Sequence, residues 1–449
     1  MNNHKMLNGS VFKSILMISI PVILANVLQT VYQLIDMFWV GRLGTEAVAA
    51  VSLSFPLLFF ITSMAMGLAM AGSILIAQYN GQGDREKVNF ATGQTLALTS
   101  IIAVILSIIG YFASESILSA LTKDPLVLQQ ATSYLQISFL AMLAMFIYNI
   151  FQSSLRGVGE VKFPAIVILI TVIINFFIDP LFMFGWKFIP AMGVSGVAIA
   201  TLITEYLAAI IAIIIFIKGT YQVKIRLHDL RLKLFWVKRL FKLGLPSSLE
   251  MSSRSFGMVL MTFVVSTFGT MVIAAFGIGI RMLSMMIIPA LGFAVATSAL
   301  VGNNLGARQH ERAERIIKTG MKIAFYTLTL LGTLMFIFAP QVSTFFVPNE
   351  PELIQMAALF IRIMALTFGS IGIQMVITGA IKAAGKTTTS MLLAMFHTVT
   401  LFIISYLLST IFSFKELGIW VAYPIANLLA LTLAFYFYKK KDWLKKELV

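Results

Sequence analysis

Apolar stretches of about twenty residues, the length a bilayer core demands of a helix, recur from one end of this chain to the other. Nothing else limits its fold as much. In hydrocarbon every backbone polar group must pair internally, and only helices or closed barrels achieve that. Twelve such windows are read, centred near residues 25, 63, 102, 143, 173, 204, 252, 288, 327, 366, 398 and 428. Period-2 alternation, the mark of a membrane barrel, is nowhere sustained. Soluble domains carry roughly 25% charged residues, whereas this chain carries 11% and is 59% hydrophobic. An all-α integral membrane protein of twelve transmembrane helices is expected. The first window is too long, and too polar in its second half, for a secretory leader, and no small-residue cleavage site follows it. It is expected to be retained. Without cysteine, disulfides, thiolate metal sites and thiol nucleophiles are excluded.

The net charge of +15 follows topology. Basic residues gather in alternate loops, at Arg85 and Lys87, Arg156 and Lys162, Lys218 to Lys242, Arg308 to Lys322, Lys382 and Lys386, and Lys439 to Lys446. The intervening loops hold chiefly Arg42, Lys123, Lys187 and Lys415. By the positive-inside rule both termini and the long middle loop lie in the cytoplasm, so a cell-membrane location is expected. No soluble basic module with base-stacking aromatics exists, which excludes nucleic acid as a partner and leaves the lipid bilayer.

A shift of 225 residues lays the first half over the second without a gap. "GRLGTEAVAAVSLSF" from Gly41 falls on "STFGTMVIAAFGIGI" from Ser266, Gly67 on Gly292, Gly81 on Gly306, Glu86 on Glu311 and Pro21 on Pro246. Each half has six windows, an even number, so the repeats run parallel, about an axis along the membrane normal. Two six-helix bundles are expected, an N-lobe over 1–217 and a C-lobe over 239–449, joined by a cytoplasmic linker at 218–238. Parallel repeats of this kind are an arrangement of transporters.

Four acids lie inside the windows: Asp36, Asp179, Glu205 and Glu250. A carboxylate in hydrocarbon costs several kcal/mol unless paired, hydrated or protonated, so such residues are functional by default. The first and fifth helices run the same way, and Asp36 and Asp179 sit toward the same end of each. Asn26, Gln29, Gln33 and Asp36 form one helical stripe, while Asn175 and Asp179 stack at i, i+4. Thr201 follows in the sixth helix. Carboxylate, amide and hydroxyl oxygens suit a hard cation, or a proton if shielded from water. The repeat does not copy this set, for Asp36 falls on Met261. Glu250 has Arg254 at i+4, a favourable helical pair, and Glu205 is a secondary polar candidate beside the same lobe.

The segments "DMFWVGRLGTEAVAAVSL", "SSLRGVGEVKFP", "NFFIDPLFMFG" and "AAFGIGIRMLSMMIIPALGFAVATSALVGNNLGA" resemble the multidrug and toxic compound extrusion (MATE) exporters over essentially the whole chain. The resemblance implies twelve helices in two bundles and export of small amphipathic, mostly cationic compounds against Na+ or H+ entry. It implies no cofactor beyond that coupling ion, no enzymatic step, and a functional monomer. It also implies coupling through an N-lobe site of Asp36, Asn175, Asp179 and Thr201, with Asp36, Asn175 and Asp179 as the ligands of a Na+ ion. Pro21 is the expected bend of the first helix. A C-lobe site in some members uses acids on the seventh and tenth helices. Here Glu250 is present, but the tenth offers Gln374 and Arg362.

Two rivals are weighed. "GAIKAAGKTTT" from Gly379 mimics a phosphate loop, but five residues separate Gly379 from Gly385 where four are required. A lipid-linked saccharide flippase of related two-lobe plan is the alternative function. It calls for arginines spread over inner helices, for which only Arg254, Arg281 and Arg362 qualify.

Overall fold

The computed structural model describes residues 3–444, which fold as a succession of helices. In order these are α1 (Asn3–Asn8), α2 (Val11–Gly41), α3 (Thr45–Gln82), α4 (Arg85–Ser119), α5 (Pro125–Gly157), α6 (Lys162–Phe184) and α7 (Val194–Lys218). The second half continues with α8 (Leu234–Ser266), α9 (Thr270–Gly306), α10 (His310–Phe346), α11 (Pro351–Ala365), α12 (Phe368–Ala383), α13 (Thr387–Tyr406) and α14 (Lys415–Lys439). Asp84 and Asp124 cap α4 and α5, their carboxylates accepting from Lys87 N and from Leu126 and Val127 N, where a helix leaves donors unpaired.

Ten of these helices are long and apolar enough to cross a membrane, and α11 with α12, bent by 49° at their junction, make an eleventh. The remaining expected span coincides with α8, which has the length at 33 residues but not the composition. Lys238, Arg239 and Lys242 occupy its first turns, and Glu250 and Arg254 its middle. The phosphate-loop mimic is a helix-to-helix turn: Gly385 takes a φ of 78° and Lys386 N bonds back to Ile381 O at 3.2 Å. The corresponding turn of the first half repeats it, with Gly159 at 77° and Glu160 N on Leu155 O at 2.8 Å.

The chain forms two compact units whose limits do not follow chain order. One comprises Leu24–Ser248. Within the described residues, the other comprises residues 249–444 together with residues 3–23. The first two-fifths of α2 therefore count with the second unit, and nearly the first half of α8 with the first. The switch points after Ile23 and Ser248 are separated by the same 225 residues as the sequence repeat. Glycine makes each of these insertions fit. In the first unit Gly67 of α3 lies under α8, where a Cβ would stand 2.5 Å from Ser248 N and 2.8 Å from Gly244 O. In the second unit its repeat counterpart, Gly292 of α9, lies under α2 against Ile23 and Ser19.

The polar connection between α7 and α8 is strapped to α4. Gln94, fully buried, donates through Nε2 to Asp229 O at 2.8 Å and Arg231 O at 2.7 Å, and its Oε1 accepts from Lys233 N at 2.8 Å. Asn89 Oδ1 accepts from Lys224 N at 2.8 Å. One side chain thus satisfies three backbone groups that a loop otherwise leaves to water. Gln94→Ala is expected to cost about 2–3 kcal/mol, because those groups lose their partners while half-buried. Limited trypsin digestion of the purified protein reads it directly: cleavage after Lys224, Arg226 or Arg231 should accelerate severalfold. An unchanged digestion rate means the strap is held by other contacts.

Candidate cation site

The first unit carries the acids, and its helices place them by register. α6 ends in a tight reversal: Trp186 and Ile189 exchange backbone bonds of 2.9 and 2.8 Å, and Met192 N and Gly193 N return to Phe182 O and Met183 O at 3.0 and 3.1 Å. α7 then starts hard against α6. Gly196 allows the approach, since a Cβ there would meet the Phe182 carbonyl carbon and oxygen at 2.5 Å. The next turn of α7 brings Thr201 level with Asp179 of α6 and Asp36 of α2.

Three layers follow, each one helical turn from the next. The middle layer is oxygen: the Asp36 carboxyl is within hydrogen-bonding reach of Asp179 and of the Thr201 hydroxyl, and Glu205 is its next acidic neighbour. Toward the C-terminal end of α2 comes an apolar layer in which Val40, Met183, Val194 and Val197 are buried together, with Trp39 and Tyr134 packed on them. The Trp39 ring lies 5.9 Å from Phe176 and 6.3 Å from Phe184. The third layer, on the opposite side, is made of neutral donors. Asn175 Nδ2 donates to Asp179 Oδ1 at 2.9 Å, and Tyr32 Oη and Thr204 Oγ1 share a hydrogen bond of 2.9 Å.

Asn175 and Asp179 are fully buried, and Asp36 and Thr201 half-buried. One oxygen of each of three side chains, Asp36 Oδ1, Asn175 Oδ1 and Asp179 Oδ2, is buried with no hydrogen-bond partner. Among the described residues no lysine or arginine neutralises either carboxyl. Three orphaned acceptors in one place are costly, at roughly 1–3 kcal/mol each and more for a charge. They are what a cation, or a proton between carboxyls, satisfies. The donor set of carboxylate, amide and hydroxyl oxygens fits Na+. The surroundings shield a proton equally well.

The four residues expected to form the site are therefore placed together. Tyr32, Tyr134 and Thr204 join them without having been singled out from the sequence. Tyr32 was legible only as the residue one turn before Asp36, and Thr204 as a hydroxyl three past Thr201. Gln29 and Gln33 share the stripe of Asp36 but are exposed. α2 continues unbroken through Pro21. Glu205 is half-buried beside the set.

Glu250 belongs to the second unit and is already saturated. Its Oε1 accepts from Lys382 Nζ at 2.8 Å and its Oε2 from Ser390 Oγ at 2.6 Å, while Arg254, the partner expected from helical spacing, stands off at 3.6 Å. Gln374 is half-buried on α12, and its carbonyl accepts from Thr378 Oγ1 at 2.8 Å.

Comparison with known proteins matches two segments of this chain, 21–181 and 246–407, to the MatE family. The segments start at Pro21 and Pro246, paired prolines of the repeat. The probable multidrug resistance protein YoeA of Bacillus subtilis (strain 168) is 29% identical over 444 residues, which cover 98% of this chain and 96% of that protein. The FAD transporter of Shewanella oneidensis is 25% identical over 430 residues, covering 95% and 94%. The crystal structure of MATE in complex with MaL6 superposes with a TM-score of 0.92 at 27% identity over 100% of both chains.

Proposed function

The chain belongs to the MatE family, and from that premise we propose that it is a secondary active multidrug exporter that moves amphipathic, mostly cationic compounds out of the cell in exchange for Na+ or H+. Fold and family make it a multi-pass membrane transporter. The observation that carries the coupling is the set of three unpartnered oxygens on Asp36, Asn175 and Asp179, buried together with no basic side chain among the described residues to neutralise them.

The chain's own residues supply each step of the exchange. Asp36 and Asp179 take the ion or proton, and Thr201 and Asn175 complete the oxygen set and orient the carboxyls. The apolar layer at Val40, Met183 and Val197 closes one side against water. Without the ion, two facing carboxyls repel; with it, α2 and α6 are drawn together. The ion therefore binds one state of the transporter better than the other, and that difference is what shifts the population. Pro21 deprives Met17 O of its helical donor and is the position where α2 yields. We propose action as a monomer, as the family resemblance implies, in the cell membrane with both termini cytoplasmic, the topology resting on the alternating basic loops.

The names of the relatives divide between multidrug resistance and FAD, a large organic anion. The preference for cations rests on the resemblance and on the acidic site of this chain. The test is export of a fluorescent cationic dye from proteoliposomes under an imposed Na+ gradient or an imposed pH gradient, each alone. Dye movement driven by one gradient and not the other supports the reading and identifies the ion. Movement unaffected by either removes the coupling role.

A further inference from the structure

The second unit holds a charge for which the proposed exchange has no use. Glu250 has two oxygens and both are taken, one by Lys382 and one by Ser390. Two cations therefore surround one acid, and Arg254 is the surplus one. Its contact with Glu250 is 3.6 Å, longer than a charge-assisted hydrogen bond, and its side chain is 48% exposed while that of Glu250 is 2% exposed.

The exposure of Arg254 is not on the apolar side of α8. Leu245, Leu249, Phe256, Val259 and Phe263 are 48–73% exposed and, at 100° per residue, fall on one side of α8. Arg254 points to the opposite side of the helix, with the exposed Met258 one turn further on. A guanidinium inside a membrane span is held by a countercharge or faces a space that ligands enter. Around it the groups are neutral and already engaged. Ser253 Oγ meets Thr398 Oγ1 at 3.4 Å, and His397 Nε2 pairs with Asn427 Oδ1 at 2.9 Å, which holds Asn427 Nδ2 on Thr367 Oγ1 at 3.0 Å.

We propose that Arg254 is a recognition site for the carboxylate of amphipathic substrates, with Met258 as an adaptable apolar contact beside it. One surplus positive charge matches one negative charge, which favours a monocarboxylate over a phosphate dianion. The planar fork of arginine accepts a carboxylate through two parallel hydrogen bonds, and the methionine tolerates varied bodies. Substrates carrying both a cationic and a carboxylate group then fall within range. The proposal deepens the exporter reading and rests on it.

The test uses a xanthene dye with a positive charge and a free carboxylate, and its ethyl ester, which keeps only the positive charge. Fluorescence anisotropy with the purified full-length protein in nanodiscs gives both dissociation constants. In Arg254→Gln the preference for the acid over the ester should fall about tenfold, the loss of one charge-assisted hydrogen-bonding group. Lys382→Met is the second variant. It returns Arg254 to Glu250 as its sole cation, so the preference should fall there too even if Arg254→Gln does not fold. An unchanged ratio in both variants, equal weakening of both dyes, or no binding of the acid to the wild type overturns the proposal. Flux of the ester under an ion gradient tests the exporter reading separately: absent flux with a shifted binding ratio defeats that reading and leaves the carboxylate site standing.

Discussion

Asp36→Asn is expected to lower gradient-driven dye export by about 100-fold, toward the upper end of what a coupling free energy of 1–3 kcal/mol delivers, without loss of stability. The orphaned oxygens are the reason. Asp36 Oδ1 and Asp179 Oδ2 have no donor between them, and an amide in place of the first carboxyl supplies an N–H where one was missing. It also removes one of two unneutralised buried charges, whose burial costs several kcal/mol. The variant should therefore unfold no earlier than the wild type in a thermal melt followed by size-exclusion chromatography. Asp179→Asn should lose export to the same extent, because residue 179 keeps an oxygen for Asn175 Nδ2 but no longer binds or releases an ion. A structural carboxylate behaves in the reverse way: its amide variant loses stability and keeps coupling. Undiminished gradient-driven export by Asp36→Asn defeats the coupling role.

The second large effect concerns the two paired glycines, and it is asymmetric although the repeat is not. A Cβ at Gly67 meets the Ser248 hydroxyl and, with it, backbone, at Ser248 N 2.5 Å and Gly244 O 2.8 Å away. Backbone inside a helix cannot retreat without breaking its ladder, so the whole first half of α8 must shift away. A Cβ at Gly292 meets instead the Ile23 side chain at Cγ1, 2.2 Å away, and the nearest backbone atom is Ser19 O at 3.2 Å. Isoleucine can change rotamer. Gly67→Ala is expected to destabilise by about 2–3 kcal/mol, the range of overpacked cores, and Gly292→Ala by about 1 kcal/mol. The thermal midpoints of the two variants give the comparison. Equal shifts, or a larger one at 292, contradict the account.

Much of this architecture is readable before folding, because membrane solvation writes it in composition. Window length yields the helices, and the ungapped shift pairs Gly67 with Gly292, which take the same place in the two units. Asp36, Asn175, Asp179 and Thr201 were legible because a carboxylate at depth has so few innocent explanations. Register places Gln29 and Gln33 on the stripe of Asp36, where they stand exposed. A helical stripe says which residues share a face, not how far neighbouring helices extend along it. Register is incomplete at Glu250, where Arg254 was visible four residues on but Lys382 lies 132 residues away and makes the closer contact. Tyr32, Tyr134 and Thr204 look like ordinary packing until the acids beside them are located. α8 eludes a hydropathy test because its charges serve two ends, anchoring basic residues at its start and the Glu250 cluster in its middle.

The division of α2 and α8 between the two units also bears on how the protein is made. The start of α2 up to Ile23 leaves the ribosome before the rest of that helix, yet the helices it packs among, from α9 onward, leave after the whole of the first unit. The first unit likewise waits for the opening turns of α8, which emerge after all its other helices. Neither half is self-sufficient while the chain is growing, and the apolar start of α2 must be kept from other partners until synthesis ends. Cutting the chain in the linker yields two fragments that each lack a segment of their own bundle and carry one belonging to the other. Each unit thus needs a segment supplied by the other half of the sequence.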